Sequence, residues 1–461
     1  MTLSPAGTRA GLANHEAFQQ RLERLVIDGA IAEAIEALVA TEASAGHDAD
    51  TLHQCLHFYT QLGRHQRAFE CAKRLVEVTS GNLDARFALA NAAVATGDLA
   101  LAEAELDAVI ENRPGQAEAY YARSTLRGQT INRNHIDAIN AALVAGSDPE
   151  SEIPLAYALG KEYEDLGRWR EAFAAFARGA AARRSRLSYD VSVDVDVMRQ
   201  IARTFNDAWW SEASSGYDED GPVFIFGLPR SGTTLVDRIM SSHPAASSLG
   251  ENNDFTYAVM RHGSPAASRD ELMSKVARSD MASLGEGYWR ACLGYSEAGP
   301  KLVNNTPGNH LYLGLIAKSL PNAKIVHVYR HPVASCYAMF KSLFRMGYPF
   351  SYALDDLATY WLAYRELMDH WRSLFGDRIL DVSYEELVDD QETISRELIT
   401  HCGLDWDDAC LHFHENAAPT ATASAAQVRS PIYTSARDLW RNHESGLESL
   451  VSLLRNAGVE M

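Results

Sequence analysis

Pro222–Pro244, PVFIFGLPRSGTTLVDRIMSSHP, is the stretch that decides the fold. Val223 to Phe226 form a short unbroken apolar run, the pattern of a strand buried on both faces. Gly227 and Gly232 bracket a turn, and a helix is expected to open at Thr233 and Thr234. Strand, glycine-bracketed loop and helix in that order build an anion cradle. The loop N–H groups and the positive end of the helix dipole converge on one point. The spacing is G-x-x-x-x-G-T-T. ATP-binding loops place a Lys after the second Gly to reach the β- and γ-phosphates. Here Thr233 occupies that position, and Arg230 is the cation inside the loop. Such a loop suits a nucleotide whose 5′ end carries a group other than a triphosphate.

A second segment, KIVHVYRHPVASCYAMFKSLFRM at 324–346, has the same plan. A strand from Lys324 to Tyr329 leads into a turn at Arg330–Pro332 and then a helix. Arg330 falls at the carboxyl end of its strand, where open parallel sheets bind ligands. Strands expected at 223–227, 324–329 and 378–383 alternate with helices, which indicates a parallel α/β sheet running from about residue 221 to 461. A long helix at roughly 351–375 puts Tyr360, Tyr364 and Trp371 on one face, and that stripe reads as core.

The upstream half is different. Gly29, Gly63 and Gly97 recur every 34 residues, and Ala34, Ala68 and Ala102 follow each Gly by five. In a helix–turn–helix unit the Gly closes the first helix and the small Ala lets the second pack closely. Pro114 ends the third unit, the fourth is degenerate around RGQTINRNH, and a clear unit returns with Gly160, Tyr163, Gly167, Ala172 and Phe176. Residues 14–183 therefore read as an α-solenoid of tetratricopeptide repeats, about five helix pairs. Residues 184–220 read as a linker of a turn, a helix and the polar boundary SEASSGYDEDG.

A net charge of −19 argues against nucleic acid as a partner and requires any anion site to be a local positive pocket. Six Cys without metal-ligand spacing fit free thiols in a reducing, cytoplasmic compartment. The N-terminus has no apolar core of a signal peptide, and no stretch is long and apolar enough for a transmembrane segment.

The two loops together resemble the sulfotransferases that use 3′-phosphoadenosine-5′-phosphosulfate (PAPS). Within them the chain is most similar to bacterial sulfotransferases with N-terminal tetratricopeptide repeats, relatives of the tyrosylprotein sulfotransferases, which share P-R-S-G-T-T. The resemblance implies a P-loop-like α/β sulfotransferase domain and assigns roles. Arg230, Ser231, Gly232, Thr233 and Thr234 would hold the 5′-phosphosulfate, and Arg330 the 3′-phosphate. Glu251, in SSLGENNDF, would be the base that takes the acceptor's proton. Tyr384, in DVSYEELV, would lie near the adenine. Ser424 and Arg429, in the tail SAAQVRSPIY, would reach the nucleotide phosphates. No metal is called for. The acceptor would be a hydroxyl on a peptide or protein tyrosine, a carbohydrate, a lipid or a small phenol. The repeats would present a surface to a protein partner.

Two positions depart from the family. A Lys that stabilises the leaving group is replaced by Asn305, in KLVNNTPGNHLYLG, and Lys301 four residues upstream is the cation that would have to swing in. The 3′-phosphate Ser, eight residues after the loop Arg, is replaced by Ala338, with Ser335 nearby. These departures leave open a second reading, a nucleotide-binding scaffold of weak or no activity whose repeats bind a partner. A third, a P-loop kinase, is disfavoured by Thr233.

Overall fold

A computed structural model describes residues 5–146, 148–295, 299–344, 347–422 and 424–460. Ten helices, from Pro5–Ile27 to Trp169–Arg184, make up the described part of the repeat segment. Gly29, Gly63, Gly97 and Gly167 each follow a helix end with φ of +76°, +66°, +91° and +69°. Only a residue without Cβ adopts this left-handed backbone cheaply. Five residues after each, Ala34, Ala68, Ala102 and Ala172 are fully buried. The helices that matter below are α1 (Leu83–Thr96), α2 (Pro149–Asp165) and α3 (Trp169–Arg184). In the degenerate unit, Ala117–Thr125 is short, an isolated bridge joins Thr130 to Arg133, and the helix packs on α2. Close approach also explains Gly160 in α2, where a Cβ would lie 2.5 Å from the Phe176 ring of α3.

Helices Val191–Thr204 and Asp207–Ser211 lead to a sheet of five parallel strands. These are β1 (Pro222–Phe226), β2 (Ala246–Gly250), β3 (Lys301–Asn304), β4 (Lys324–Tyr329) and β5 (Ile379–Ser383), in the order β2-β3-β1-β4-β5. β2 and β3 are strands that the apolar pattern did not reveal. β3 has four residues and opens with Lys301, and β2 is an edge strand of small polar residues. Neither makes a strand by propensity; both are held by the ladder they join.

Strand alternation sorts the core into two layers. Val223, Ile225, Val326 and Val328 share one apolar cluster with Val236 and Ile239 of α4 (Thr233–Ser241). Phe224, Phe226 and Ile325 share the other with α5 (Pro332–Phe340) and with Tyr360, Tyr364 and Trp371 of α6 (Leu354–Phe375). The expected aromatic stripe is thus core.

The chain leaves β1 for β2 on one side, returns to β3, then crosses β1 to reach β4 and β5 on the other. The reversal creates a crevice between the carboxyl ends of β1 and β4, the place where such sheets take ligands. Both loops singled out in the sequence open onto it.

The solenoid grips this domain at both ends. Near its start, a Cβ on Gly294 would lie 2.7 Å from Ile31, and Arg64 Nη2 donates to Tyr295 O at 2.5 Å. Near its finish, Tyr157 donates to Phe340 O at 3.2 Å, Phe173 stacks on Phe340 at 5.7 Å, and Arg184 pairs with Asp356 at 2.8 Å. Among the described residues no helix is long and apolar enough to cross a membrane.

Candidate functional site

The loop between β1 and α4 closes around buried groups. Arg230 takes φ +68° and Gly232 φ +111°, and together they turn the chain into the helix. Side chains at the two glycines have no room. A Cβ on Gly227 would lie 2.1 Å from Val328 O, and one on Gly232 2.7 Å from Cδ2 of Tyr384. Ser231, Thr233 and Thr234 are buried at the helix N-terminus. Ser231 Oγ is buried and has no hydrogen-bond partner among the described residues; Arg330 Nε also lacks one but lies 3.7 Å from Glu385 Oε1. Buried donors of this kind normally have one, so the cradle fits an anion.

Arg230 and Arg330 line one solvent-open cleft, with Tyr384, Ser424, Tyr433 and Trp440. Arg330 stacks over the Tyr384 ring at 4.7 Å and donates to Ala436 O. Tyr384 thus touches both loops. Arg230 donates to Ser424 Oγ at 2.6 Å and to Gln427 Oε1 at 3.3 Å. Burial pushes the Arg230 guanidinium below its ordinary pKa, and Arg330 adds to the push. Burial lowers the Arg330 guanidinium as well, with Tyr384 and Glu385 opposing, so an anion held between the two would offset the cost of burying them.

Glu251 and Asn305 lie outside this cleft, beyond the carboxyl ends of β2 and β3. A small network braces their loops. Asn305 N–H donates to Gly250 O at 3.2 Å, Asn304 Nδ2 to Asn252 Oδ1 at 2.8 Å, and Asn252 N–H to Thr306 Oγ1 at 2.9 Å. Asn305 is buried, and its Oδ1 has no partner among the described residues. The Glu251 side chain keeps exposed surface although protein packs round it. That surround pushes its carboxyl up to about 7; Asp237 pushes the same way and Arg230 opposes. A carboxyl near neutrality is a better proton acceptor than an ordinary Glu, and is still ionised at physiological pH.

Asp237 was not foreseen from sequence. It lies one helical turn past Thr233 and Thr234, buried, with its carboxyl pushed up to about 7 by burial. Ser248 Oγ of β2 donates to it at 2.9 Å, while its Oδ1 has no partner among the described residues. A carboxylate on the buried side of an anion-binding helix was the available signal.

Two expectations are corrected. Lys301 is not poised to swing in. It is buried at the amino end of β3, with Nζ bonded to Asp220 O at 2.5 Å and to Asp220 Oδ2 at 3.0 Å. A strand advances about 3.3 Å per residue, so Lys301 and Asn305 sit at opposite ends of β3. Arg429 is not brought to the cleft. Its Nη2 donates to Ala95 O at 3.2 Å and its guanidinium covers Gly97, where a Cβ would lie 2.4 Å from Cζ. The carboxyl end of α1 offers unpaired carbonyls and partial negative charge, which a guanidinium satisfies. Thr420 N–H also donates to Ala95 O, at 2.9 Å. The tail is therefore a strap from the repeats to the loop: Ser424 reaches Arg230, and Thr422 pairs with Thr234 at 3.2 Å.

Residues 222–408 match the profile of the Sulfotransferase family, and residues 59–126 that of the Tetratricopeptide repeat. The chain thus carries a sulfotransferase-family domain preceded by tetratricopeptide repeats. It is 29% identical over 257 residues to an uncharacterised protein of Aquifex aeolicus, a match covering 52% of this chain and 33% of that one. Protein-tyrosine sulfotransferase 1 of Danio rerio is 28% identical over 242 residues, covering 49% of this chain and 67% of its own length. The Drosophila melanogaster protein-tyrosine sulfotransferase is 24% identical, over 48% of its length. Among solved structures, the sulfotransferase domain of the Synechococcus olefin synthase aligns at 20% identity with a TM-score of 0.39, covering 54% of this chain and 98% of that one. At that score the fold rests on the strand order given above.

Proposed function

We propose that the chain transfers a sulfuryl group from PAPS to an acceptor hydroxyl. The observation that carries this is the Arg230–Arg330 cleft lined by Tyr384, with a basic carboxylate, Glu251, outside it but near enough to feel the charge of Arg230. The donor, when bound, supplies the sulfuryl group on its 5′-phosphate. Arg230, the loop N–H groups and the hydroxyls of Ser231, Thr233 and Thr234 hold the 5′ end and neutralise charge there. Arg330 pairs with the 3′-phosphate, for which its guanidinium fork is suited. Glu251 takes the proton of the acceptor hydroxyl. Asn305 offers an amide hydrogen bond where the relatives have a cation. A peptide or protein tyrosine is the favoured acceptor, because the similarity to protein-tyrosine sulfotransferases and a repeat solenoid point the same way.

The test is a calorimetric titration with 3′,5′-diphosphoadenosine, followed by transfer assays on a tyrosyl peptide. Micromolar or tighter binding, lost in Arg230→Ala with the circular dichroism unchanged, is the expected result. No binding to the wild-type chain would sink the proposal. Binding without transfer to any hydroxyl would favour the scaffold reading, which Asn305 and Ala338 motivate.

A further inference from the structure

One stripe of α5 lines the nucleotide cleft: Ala334, Tyr337 and Ala338, then Lys341 in the turn that ends the helix. The spacing i, i+3, i+4, i+7 is a single helical face, and Arg330 stands at its head. Helical side chains lean toward the N-terminus. Lys341, one turn beyond Ala338, therefore lies on the cleft-lining face.

What holds that ammonium comes from the repeats. Lys341 Nζ donates to Glu164 Oε2 of α2 at 2.5 Å, and lies 5.4 Å from the Tyr337 ring. Glu164 also accepts from Tyr337 Oη at 2.5 Å and sits 3.3 Å from His443 Nε2. Its side chain is 9% exposed, whereas that of Lys341 is 22% exposed. Burial opposes ionisation of Glu164, but Lys341, His443 and Tyr337 outweigh it and hold the carboxyl at about 2. The result is a fixed carboxylate on the solenoid side, paired with a partly exposed Lys341 side chain that lines the cleft. An ammonium has three donors, and Glu164 takes one.

We propose that Lys341 is a phosphate-binding residue of the cleft, held in place by Glu164 of the repeat solenoid, and that it supplies the contact Ala338 lacks. The inference rests on the donor reading above, and it deepens that reading: the last complete repeat becomes part of the nucleotide site. A cation offers a dianionic phosphate more than a Ser hydroxyl does, so Ala338 is tolerated here.

The experiment compares two nucleotides on the full chain, 3′,5′-diphosphoadenosine and adenosine 5′-phosphate, by calorimetry or competition. Their affinity ratio isolates the 3′-phosphate. Lys341→Met is expected to shrink the ratio tenfold or more, with affinity for adenosine 5′-phosphate moving less than twofold. Lys341→Arg, which keeps the charge and the pairing with Glu164, is expected to retain most of it. If Lys341→Met alone does not fold because Glu164 is left buried without its partner, Lys341→Met/Glu164→Gln removes both charges, and the same loss is expected. An unchanged ratio in a folded variant, or equal weakening of both nucleotides, overturns the inference and leaves the donor reading standing. A wild-type chain with no preference for the diphosphate overturns both, because Arg330 then fails as well.

Discussion

Below pH 7 the transfer rate is expected to fall by about a decade per pH unit, because a base must be ionised to accept a proton. The Glu251 carboxyl is raised from 4.5 to about 7, chiefly by the protein around it and then by Asp237. At pH 5.5, about 3% of a base with that pKa is ionised, against about 90% of an ordinary Glu. Between pH 8 and pH 5.5, kcat/KM should therefore drop roughly thirty-fold, whereas an unperturbed base would leave it flat. The assay is kcat/KM with a tyrosyl peptide and labelled donor from pH 5 to 8.5. The free-enzyme pKa governs that parameter, and the phenol, with a pKa of about 10, does not titrate in the range. Glu251→Gln should lower the plateau by roughly 10²–10⁴ and remove the inflection from what activity is left. Asp237→Asn, which deletes the second cause of the shift, should move the inflection to lower pH. An inflection near 4.5 in the wild type, or the same limb persisting in Glu251→Gln, would refute the assignment of the base.

Gly232→Ala tests the cradle. It forces a side chain into φ +111° and onto the Tyr384 ring, so stability should fall by roughly 1–3 kcal/mol and binding of 3′,5′-diphosphoadenosine should collapse; wild-type affinity would show that the loop does not hold the ligand. Asp237→Asn also has a stability signature. Its carboxyl is raised from 3.8 to about 7, so between about pH 4 and 7 the folded chain keeps a proton that the unfolded chain has lost, and wild-type stability declines through that window as pH rises. The variant should show a shallower decline, the remainder coming from Glu251, whose carboxyl is also raised to about 7, and at pH 7.5 should be more stable than the wild type on the order of a few kcal/mol by urea unfolding; parallel pH profiles would contradict the buried neutral carboxyl. Asn305→Ala should lower kcat on the order of 10²-fold with donor affinity unchanged, and unchanged kcat would remove Asn305 from the leaving-group side.

Much of this was written in contiguous residues. The loop at 227–232 and the turn at Arg330 were readable because strand, glycine turn and helix are local preferences, expressed over a dozen residues. The 34-residue period was readable for the same reason: Gly29, Gly63 and Gly97 each terminate a helix by a backbone conformation that depends on that residue alone. Chain proximity was a poor guide where direction matters. Lys301 is four residues from Asn305, yet a strand carries the two to opposite ends of the sheet. The resemblance implies Arg429 as a phosphate ligand, but the open carbonyls at the end of α1 provide a competing site that becomes visible only once the solenoid is docked.

The order of β2 and β3 in the sheet, the Asp237–Ser248 contact and the Glu164–Lys341 pair belong to the tertiary structure for one physical reason. Each joins groups far apart along the chain, or elements too weak in propensity to declare themselves. Such pairs form because packing brings the partners together and burial makes an unpaired charge or open ladder costly. The sequence by itself determined that there is an anion cradle, a second basic loop and a helical repeat. Only the tertiary structure decided which carboxyls lie beside the loop, and that Glu164 of the repeats pairs with Lys341 at the cleft wall.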